Sequence, residues 1–202
     1  LIRADLHLHT TYSADAAIPP KTIVNQLYSH PSIRAAAITD HNTVEGCKKV
    51  RQLASIYSDI LIIPGVEIRA IGGDLVVLGV EELPSKPWTV ENIIDFAHEE
   101  GGVVIAAHPY RAYGLGDSVR KYKIDAVEVL NGISPKHINR MAENLAKEMG
   151  VPGVAGSDAH YTDEMWSVFT EIEAFTDIDE ILRAIKKGAV RATYAPKKSI
   201  HF

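Results

Sequence analysis

The residues of this chain best suited to metal chemistry begin at Asp5-Leu6-His7-Leu8-His9. Side chains alternate faces along a strand, so a strand ending here turns His7 and His9 the same way. Two neutral imidazoles about 7 Å apart on one face make half of a metal site. A lone His-x-His pair reads more readily as a polar strand end wetted by solvent, because short motifs often match by chance. The rest of the chain shifts that balance. Asp15, Asp40, His41, Glu67, His108, Arg111, Asn131, Asp158 and His160 also fall at or just beyond the ends of predicted strands. Five of the nine histidines lie in this set.

Several imidazoles gathered at one place repel one another when protonated, and a metal ion removes that difficulty by binding the neutral rings. The donors are imidazole nitrogen and carboxylate oxygen, without sulfur. That suits Zn, Mn or Fe(II) and argues against Ca or Cu(I). His7, His9, Asp15, His41, Glu67, His108, Asp158 and His160 are more ligands than one tetrahedral ion needs. They can serve two or three divalent ions if a carboxylate bridges, and Glu67 sits in the middle of the strand order. Two divalent ions already outweigh Asp15, Glu67 and Asp158 in charge, so the site favours an anionic phosphoester. Arg111 adds a planar fork suited to phosphate, and reads equally as a salt-bridge arginine. Metal ions also lower the pKa of bound water and supply hydroxide at neutral pH.

The elements that must position these residues follow from hydrophobic patterning. Residues 1–8, 33–39, 60–63, 103–107, 125–130, 152–156 and 169–175 read as strands, most of them continuous apolar runs. Pro64-Gly65 re-aims the third strand toward Val66-Glu67-Ile68, and Gly72-Gly73 predicts a hairpin into residues 75–80. Pro19 and Pro20 lead into a helix through Ile23, Val24 and Leu27. Asn42 and Glu45 resemble a capping box opening a helix to about Tyr57. Thr89 is the expected cap of a helix ending at Gly101-Gly102. Further helices are expected from Ser134-Pro135 to Gly150 and over 178–187, with a short tail after Gly188. Residues 112–122 are expected to form a loop. Apolar strands separated by helices imply a parallel sheet covered on both sides. About seven such strands with polar residues at their C-terminal ends favour a β/α barrel with its site at that mouth, over a doubly wound sheet.

At 202 residues the chain is expected to be a single domain, spanning 1–202. It carries 26 acidic and 21 basic residues, a net charge of -5. That argues against a general nucleic-acid coat or an anionic-membrane binder, but not against one short anionic substrate. Cys47 is the only cysteine, so no disulfide framework or thiolate cluster is available, and it is expected to be a small buried helix residue. No apolar run reaches the ~18 residues that span a bilayer, and no signal-peptide pattern opens the chain, so a cytoplasmic location is expected. The chain starts at Leu1 rather than Met, which allows for a missing residue or tag. His30, His98, His137 and His201 are expected to be solvated and without a role.

Seven segments together resemble the PHP (polymerase and histidinol phosphatase) family. They are Asp5-Leu6-His7-Leu8-His9, Tyr12-Ser13-Ala14-Asp15, Ile38-Thr39-Asp40-His41-Asn42, Pro64-Gly65-Val66-Glu67-Ile68, Ala107-His108-Pro109-Tyr110-Arg111, Glu128-Val129-Leu130-Asn131 and Gly156-Ser157-Asp158-Ala159-His160. They follow the family order and span nearly the whole chain, most like small stand-alone metal-dependent phosphoesterases. The resemblance implies a distorted (β/α)7 TIM-like barrel, of α/β class, with a two- or three-metal centre. It implies His7, His9, Glu67 and Asp158 as ligands of a first ion, and Asp15, His41 and His160 as ligands of a second. Glu67 and His108 would contribute to a third. Many relatives complete that third ion with a histidine where this chain has Asn131, and some carry a histidine where it has Asp74. Asp40 is read as a residue that orients a ligand rather than binding an ion.

The expected activity is hydrolysis of a small phosphomonoester or short nucleotide by a metal-activated hydroxide, with Arg111 holding phosphoryl oxygens. The alternatives are a nuclease or proofreading exonuclease, a non-catalytic metal-binding scaffold, and a metal-dependent amidohydrolase. Long nucleic acid is not an expected partner, because no basic stripe is present. Specificity is expected in the loops 112–122 and 161–166, where Tyr113, Tyr122, Tyr161 and Trp166 either stack on a nucleobase or pack the rim.

Overall fold

The computed structural model describes residues 1–196. In chain order it runs β1 (Ile2–Asp5), α1 (Pro20–Ser29), β2 (Ala35–Ile38), α2 (Glu45–Ala54), β3 (Leu61–Ala70), β4 (Gly73–Leu78), α3 (Val90–Glu99) and β5 (Val103–Ala106). A short 3-10 helix (Gly116–Lys121) then leads to β6 (Ala126–Asn131), α4 (Lys136–Met149), β7 (Gly153–Gly156), β8 (Val168–Ile172), α5 (Ile178–Lys186) and β9 (Val190–Tyr194). His201 lies outside the described residues.

The strands form one nine-stranded sheet, in the order β7-β6-β5-β4-β3-β2-β1-β8-β9. It curls into a nearly closed barrel. At the seam, Thr170 Oγ1 on β8 accepts from Ala155 N of β7 at 2.8 Å and donates to its carbonyl at 3.0 Å. The distorted barrel expected from the sequence is therefore the fold, but the sheet is mixed. β1, β2 and β3 are parallel, as are β5, β6 and β7, while β4 and β8 run against their neighbours. The Gly72-Gly73 hairpin accounts for β4. The β7–β8 connection contains no helix, and a parallel return needs a crossover, usually a helical one. The segment expected as a short tail instead pairs with β8 as β9.

Residues of β2 divide by parity between two of the apolar clusters. Ala36 and Ile38 of β2 pack with Ile23, Val24 and Leu27 of α1 and with Cys47 and Val50 of α2. Ala35 and Ala37 turn the other way and join Ile2, Ala4, Leu6, Val76 and Ile105, which meet Ile181, Leu182 and Ile185 of α5. Cys47 is buried as expected, and burial pushes its thiol pKa up to about 11. Thr89 caps α3 by accepting from Asn92 N, and Gly150, at φ +67°, ends α4. The Asn42–Glu45 capping box does not form. Val44 is the N-cap of α2, and Asn42 at φ +55° accepts from Arg69 N instead. That bond fastens the end of β2 to β3.

Candidate metal centre

Every expected ligand lies at one mouth of the barrel. β1 ends at Asp5, and the chain carries His7 and His9 onward, bridging Leu8 to Ala159. His7 Nε2 and His9 Nε2 come within 3.1 Å of each other. His7 Nε2 is 3.3 Å from Glu67 Oε2 and 3.4 Å from Asp158 Oδ1; for His9 Nε2 the same distances are 3.3 and 3.2 Å. All four side chains are buried.

This arrangement fits a cation better than it fits hydrogen bonding. Two ring nitrogens cannot both donate to and accept from each other while facing the same two carboxylate oxygens. His41 Nδ1 also lies 3.0 Å from Glu67 Oε2. Although three imidazole nitrogens stand within 3.3 Å of that oxygen, it receives no well-directed hydrogen bond. Lone pairs aimed at a common point, with a buried oxygen left unsatisfied, are what a divalent ion requires. The donor atoms of His7, His9, Glu67 and Asp158 all lie within 4.8 Å of one another.

Without an ion, protons take its place. Burial opposes a charged His7, yet Asp158, Glu128 and Glu67 outweigh it and hold the pKa well above the ordinary value. Burial likewise opposes charge on His9, but its contacts with Asp158 and Glu67 push its pKa up to about 9. Burial would raise the carboxyls of Glu67 and Asp158, but the neighbouring imidazoles, His7 foremost, hold both well below the usual range.

A second group opens toward solvent. Asp15 Oδ2 lies 3.4 Å from His41 Nε2 and 3.6 Å from His160 Nε2. The Asp15 side chain is 60% exposed, and the two rings are partly exposed. His9 borders this group as well, with ring centroids 4.5 Å from His41 and 4.3 Å from His160, so it stands between the two. In a third group, His108 Nε2 is 3.0 Å from Glu67 Oε1, and Asp74 completes the cluster. Glu67 thus reaches all three groups, as a bridging ligand must. Asp74 comes from β4 and is ion-paired to Arg69, whose guanidinium lies 3.8 Å over the Tyr113 ring. Burial first, then Glu67, raises the Asp74 pKa.

Buried partners aim several of these side chains. Asp40 Oδ1 accepts from Ser13 Oγ at 2.7 Å, and Ser13 Oγ lies 3.2 Å from His9 Nδ1. Asp40 also accepts from Thr10 N and Thr10 Oγ1. It stands behind the candidate ligands, one hydroxyl removed from the His9 ring. Room for it depends on Gly46, where a Cβ would fall 1.9 Å from Asp40 Oδ2. His160 Nδ1 faces the Asp158 carbonyl at 2.8 Å. His108 and Asp158 sit at φ +25° and +53°, sparsely populated conformations for non-glycine residues. Strain of this kind costs about 1–3 kcal/mol per residue and gathers at functional sites.

Arg111 Nη1 lies 2.7 Å from Asp158 Oδ2 and 3.3 Å from Asn131 Oδ1. Its Nε and Nη2 have no partner among the described residues. Asn131 does not reach the third group; its Nδ2 donates to Glu128 Oε2 and Asp158 Oδ2, each at 3.0 Å. The residue that sequence reasoning overlooked is Glu128, which is buried against His7. Its signal was a single charge inside an otherwise apolar strand, Ala126-Val127-Glu128-Val129-Leu130. Of the histidines expected to be idle, His137 is exposed. His98 pairs with Asp125 at 2.9 Å, and His30 Nδ1 accepts from Ser32 N and Ile33 N, so both fasten local structure. Among the loop aromatics, Trp166 is buried, donating to Gln26 Oε1, and Tyr122 packs on the core; Tyr113 and Tyr161 are exposed.

Fold and site together define a TIM-like α/β barrel with a candidate multi-metal centre of histidine and carboxylate donors at its mouth. Residues 136–190 match the family model described as PHP-associated. The chain is 31% identical over 157 residues to the uncharacterized protein MJ1587 of Methanocaldococcus jannaschii, covering 72% of this chain and 89% of that protein. This protein belongs to the PHP family. Its fold is similar to that of a Bifidobacterium adolescentis protein provisionally named a metal-dependent phosphoesterase, with TM-score 0.62 and 17% identity over 78% of this chain and 87% of that one. It is similar also to an amidohydrolase from Chromobacterium violaceum with bound sulfate, with TM-score 0.64 and 18% identity over 80% and 88%. PsfC from Pseudomonas syringae gives TM-score 0.68 and 16% identity over 98% and 92%. Among the described residues no helix is long and apolar enough to cross a membrane.

Proposed function

We propose that this protein is a metal-dependent phosphoesterase acting on a small phosphomonoester or short nucleotide. The observation that carries the reading is the convergence of the His7, His9, Glu67 and Asp158 donor atoms on one buried point, with two further donor groups alongside. In this reading His7, His9, Glu67 and Asp158 hold one divalent ion, and Asp15, His41 and His160 hold a second. Glu67, Asp74 and His108 offer a place for a third. Such ions, when bound, supply Lewis acidity that activates water at neutral pH and offsets phosphoryl charge.

The chain's own residues do the rest. Glu67 joins the groups and fixes their separation. Asp40, through Ser13, keeps the His9 ring turned toward Glu67 and Asp158. Arg111 is held by Asp158 and Asn131 through one nitrogen, which leaves Nε and Nη2 to receive phosphoryl oxygens. The exposed carboxylate of Asp15 marks the open side, where substrate enters. A net charge of -5 supports a small substrate held by the site itself over long nucleic acid.

The test is a panel of phosphomonoesters, dinucleotides, cyclic phosphates and amides assayed with Mn or Zn added after chelation. Phosphoester turnover that appears only with metal is the expected result. Undiminished turnover after exhaustive metal removal contradicts the proposal. Turnover of amides alone replaces it with amidohydrolase chemistry, and activity confined to long, salt-sensitive polynucleotides replaces it with a nuclease.

A further inference from the structure

Glu128 lies in β6, behind the donor groups rather than among them. Its carboxylate is buried, yet it makes no ion pair with any lysine or arginine among the described residues. Three donors reach it instead. His7 Nδ1 is 2.9 Å from Oε1. His108 N donates to Oε2 at 2.8 Å, and Asn131 Nδ2 donates to the same oxygen at 3.0 Å. The Asn131 amide is oriented independently, because its Oδ1 accepts from Ser134 Oγ and Ile133 N. Gly156 makes the approach possible: a Cβ there would fall 2.3 Å from His7 Cβ and 2.9 Å from Glu128 Oε1. Beneath the pair lie Leu6, Val76, Ile105 and Val154, which give Glu128 no polar alternative.

We propose that Glu128 is a positioning residue that fixes His7 as an Nε2 metal ligand and, with its other oxygen, holds the backbone turn that presents His108. The inference rests on the reading of His7 as a ligand. An ionised carboxylate only accepts, so His7 keeps a proton on Nδ1, and Nε2, which faces Glu67 and Asp158, is the nitrogen free to give up its proton to an ion. The second oxygen accepts the N–H of His108 at φ +25°, the residue whose ring meets Glu67. One side chain thereby sets ligands from two different donor groups.

The isosteric glutamine separates this role from simple packing. In Glu128→Gln the amide oxygen must stay against His108 N–H, which can only donate. The amide NH2 then faces His7 Nδ1, makes it an acceptor, and moves the ring proton to Nε2, where it blocks an ion. Size and two of the three hydrogen bonds survive. The expected result is zinc affinity roughly 10- to 100-fold weaker at the tightest site, measured by competition with a chromophoric chelator. Thr170→Val is the control, since it removes buried bonds at the barrel seam. It should lower the melting temperature without changing zinc affinity.

Equal zinc affinity in wild type and Glu128→Gln overturns the inference while leaving the reading of the site intact. A wild-type protein that takes up no zinc overturns both. If Glu128→Gln does not fold, nitrogen-15 NMR of zinc-loaded wild type decides. A His7 ring protonated at Nδ1 with zinc on Nε2 supports the assignment; zinc on Nδ1, or a proton on Nε2, overturns it.

Discussion

The two principal donor groups share His9 and differ in almost everything else. His7, Glu67 and Asp158 are buried, backed by Glu128, Asn131 and Arg111, and lie over apolar strand residues. Asp15, His41 and His160 stand at the open side, with Asp15 mostly exposed. Charges in the buried group are poorly screened, and its ligands are already oriented before an ion arrives. Ligands in the open group keep water nearby and must be gathered on binding. Burial therefore predicts a tightly held ion inside and an exchangeable one at the open side.

The largest expected effect comes from Glu67, which belongs to the buried and third groups and lies 3.0 Å from His41 of the open one. Glu67→Ala should abolish binding at all positions, a loss beyond the roughly 100-fold typical of changes to outer partners. Elemental analysis after dialysis checks this, and retention of a full complement of ions would show that Glu67 bridges no ions. Next, His41→Ala should remove the outer ion and keep the inner one. His7→Ala should lose the inner ion. Equal losses from both variants would mean that the two groups act as one.

Metal removal should lower the melting temperature, because an ion held at 1,000 times its Kd contributes about 4 kcal/mol. The metal-free protein should then respond to pH in a defined direction. The His9 pKa is raised from 6.5 to about 9. Its protonated contacts contribute stability that is fully present below pH 6.5 and is lost as pH rises through 9. Metal uptake has the opposite trend, tightening over the same window as the competing proton leaves. Thermal melts of metal-free protein that are flat between these values would count against this. The smallest effect is at Arg111. Arg111→Ala should cut kcat/KM for a phosphoester about tenfold, the scale of one charge-assisted hydrogen bond, and leave ion stoichiometry unchanged.

Much of the buried group was legible in the sequence because its residues sit at strand ends, where a histidine or carboxylate interrupts an apolar run. His7, His108 and Asp158 stand out in this way, and Glu67 stands out as a carboxylate inside the apolar run of β3. Glu128 interrupts an apolar run too, but inside β6, and its partner His7 lies far away in sequence; Asp74 lies inside β4, among the arms of a hairpin. No local pattern reveals that Asp74 on the returning arm of a hairpin reaches Glu67 and His108. The same limit applies to the sheet. Apolar runs announce strands without direction, so β8 could be oriented only once the β7–β8 connection was seen to contain no helix, and β9, Val190-Arg191-Ala192-Thr193-Tyr194, is too polar to announce itself as a strand. The Asn42 signal misled because its side chain serves the neighbouring strand instead of its own helix.

The most direct measurement is anomalous diffraction from crystals of the protein soaked in manganese. A strong peak is expected enclosed by His7, His9, Glu67 and Asp158, with a weaker one beside Asp15, His41 and His160 that fades first on back-soaking. Manganese bound elsewhere, with no density among the four buried side chains, would contradict this.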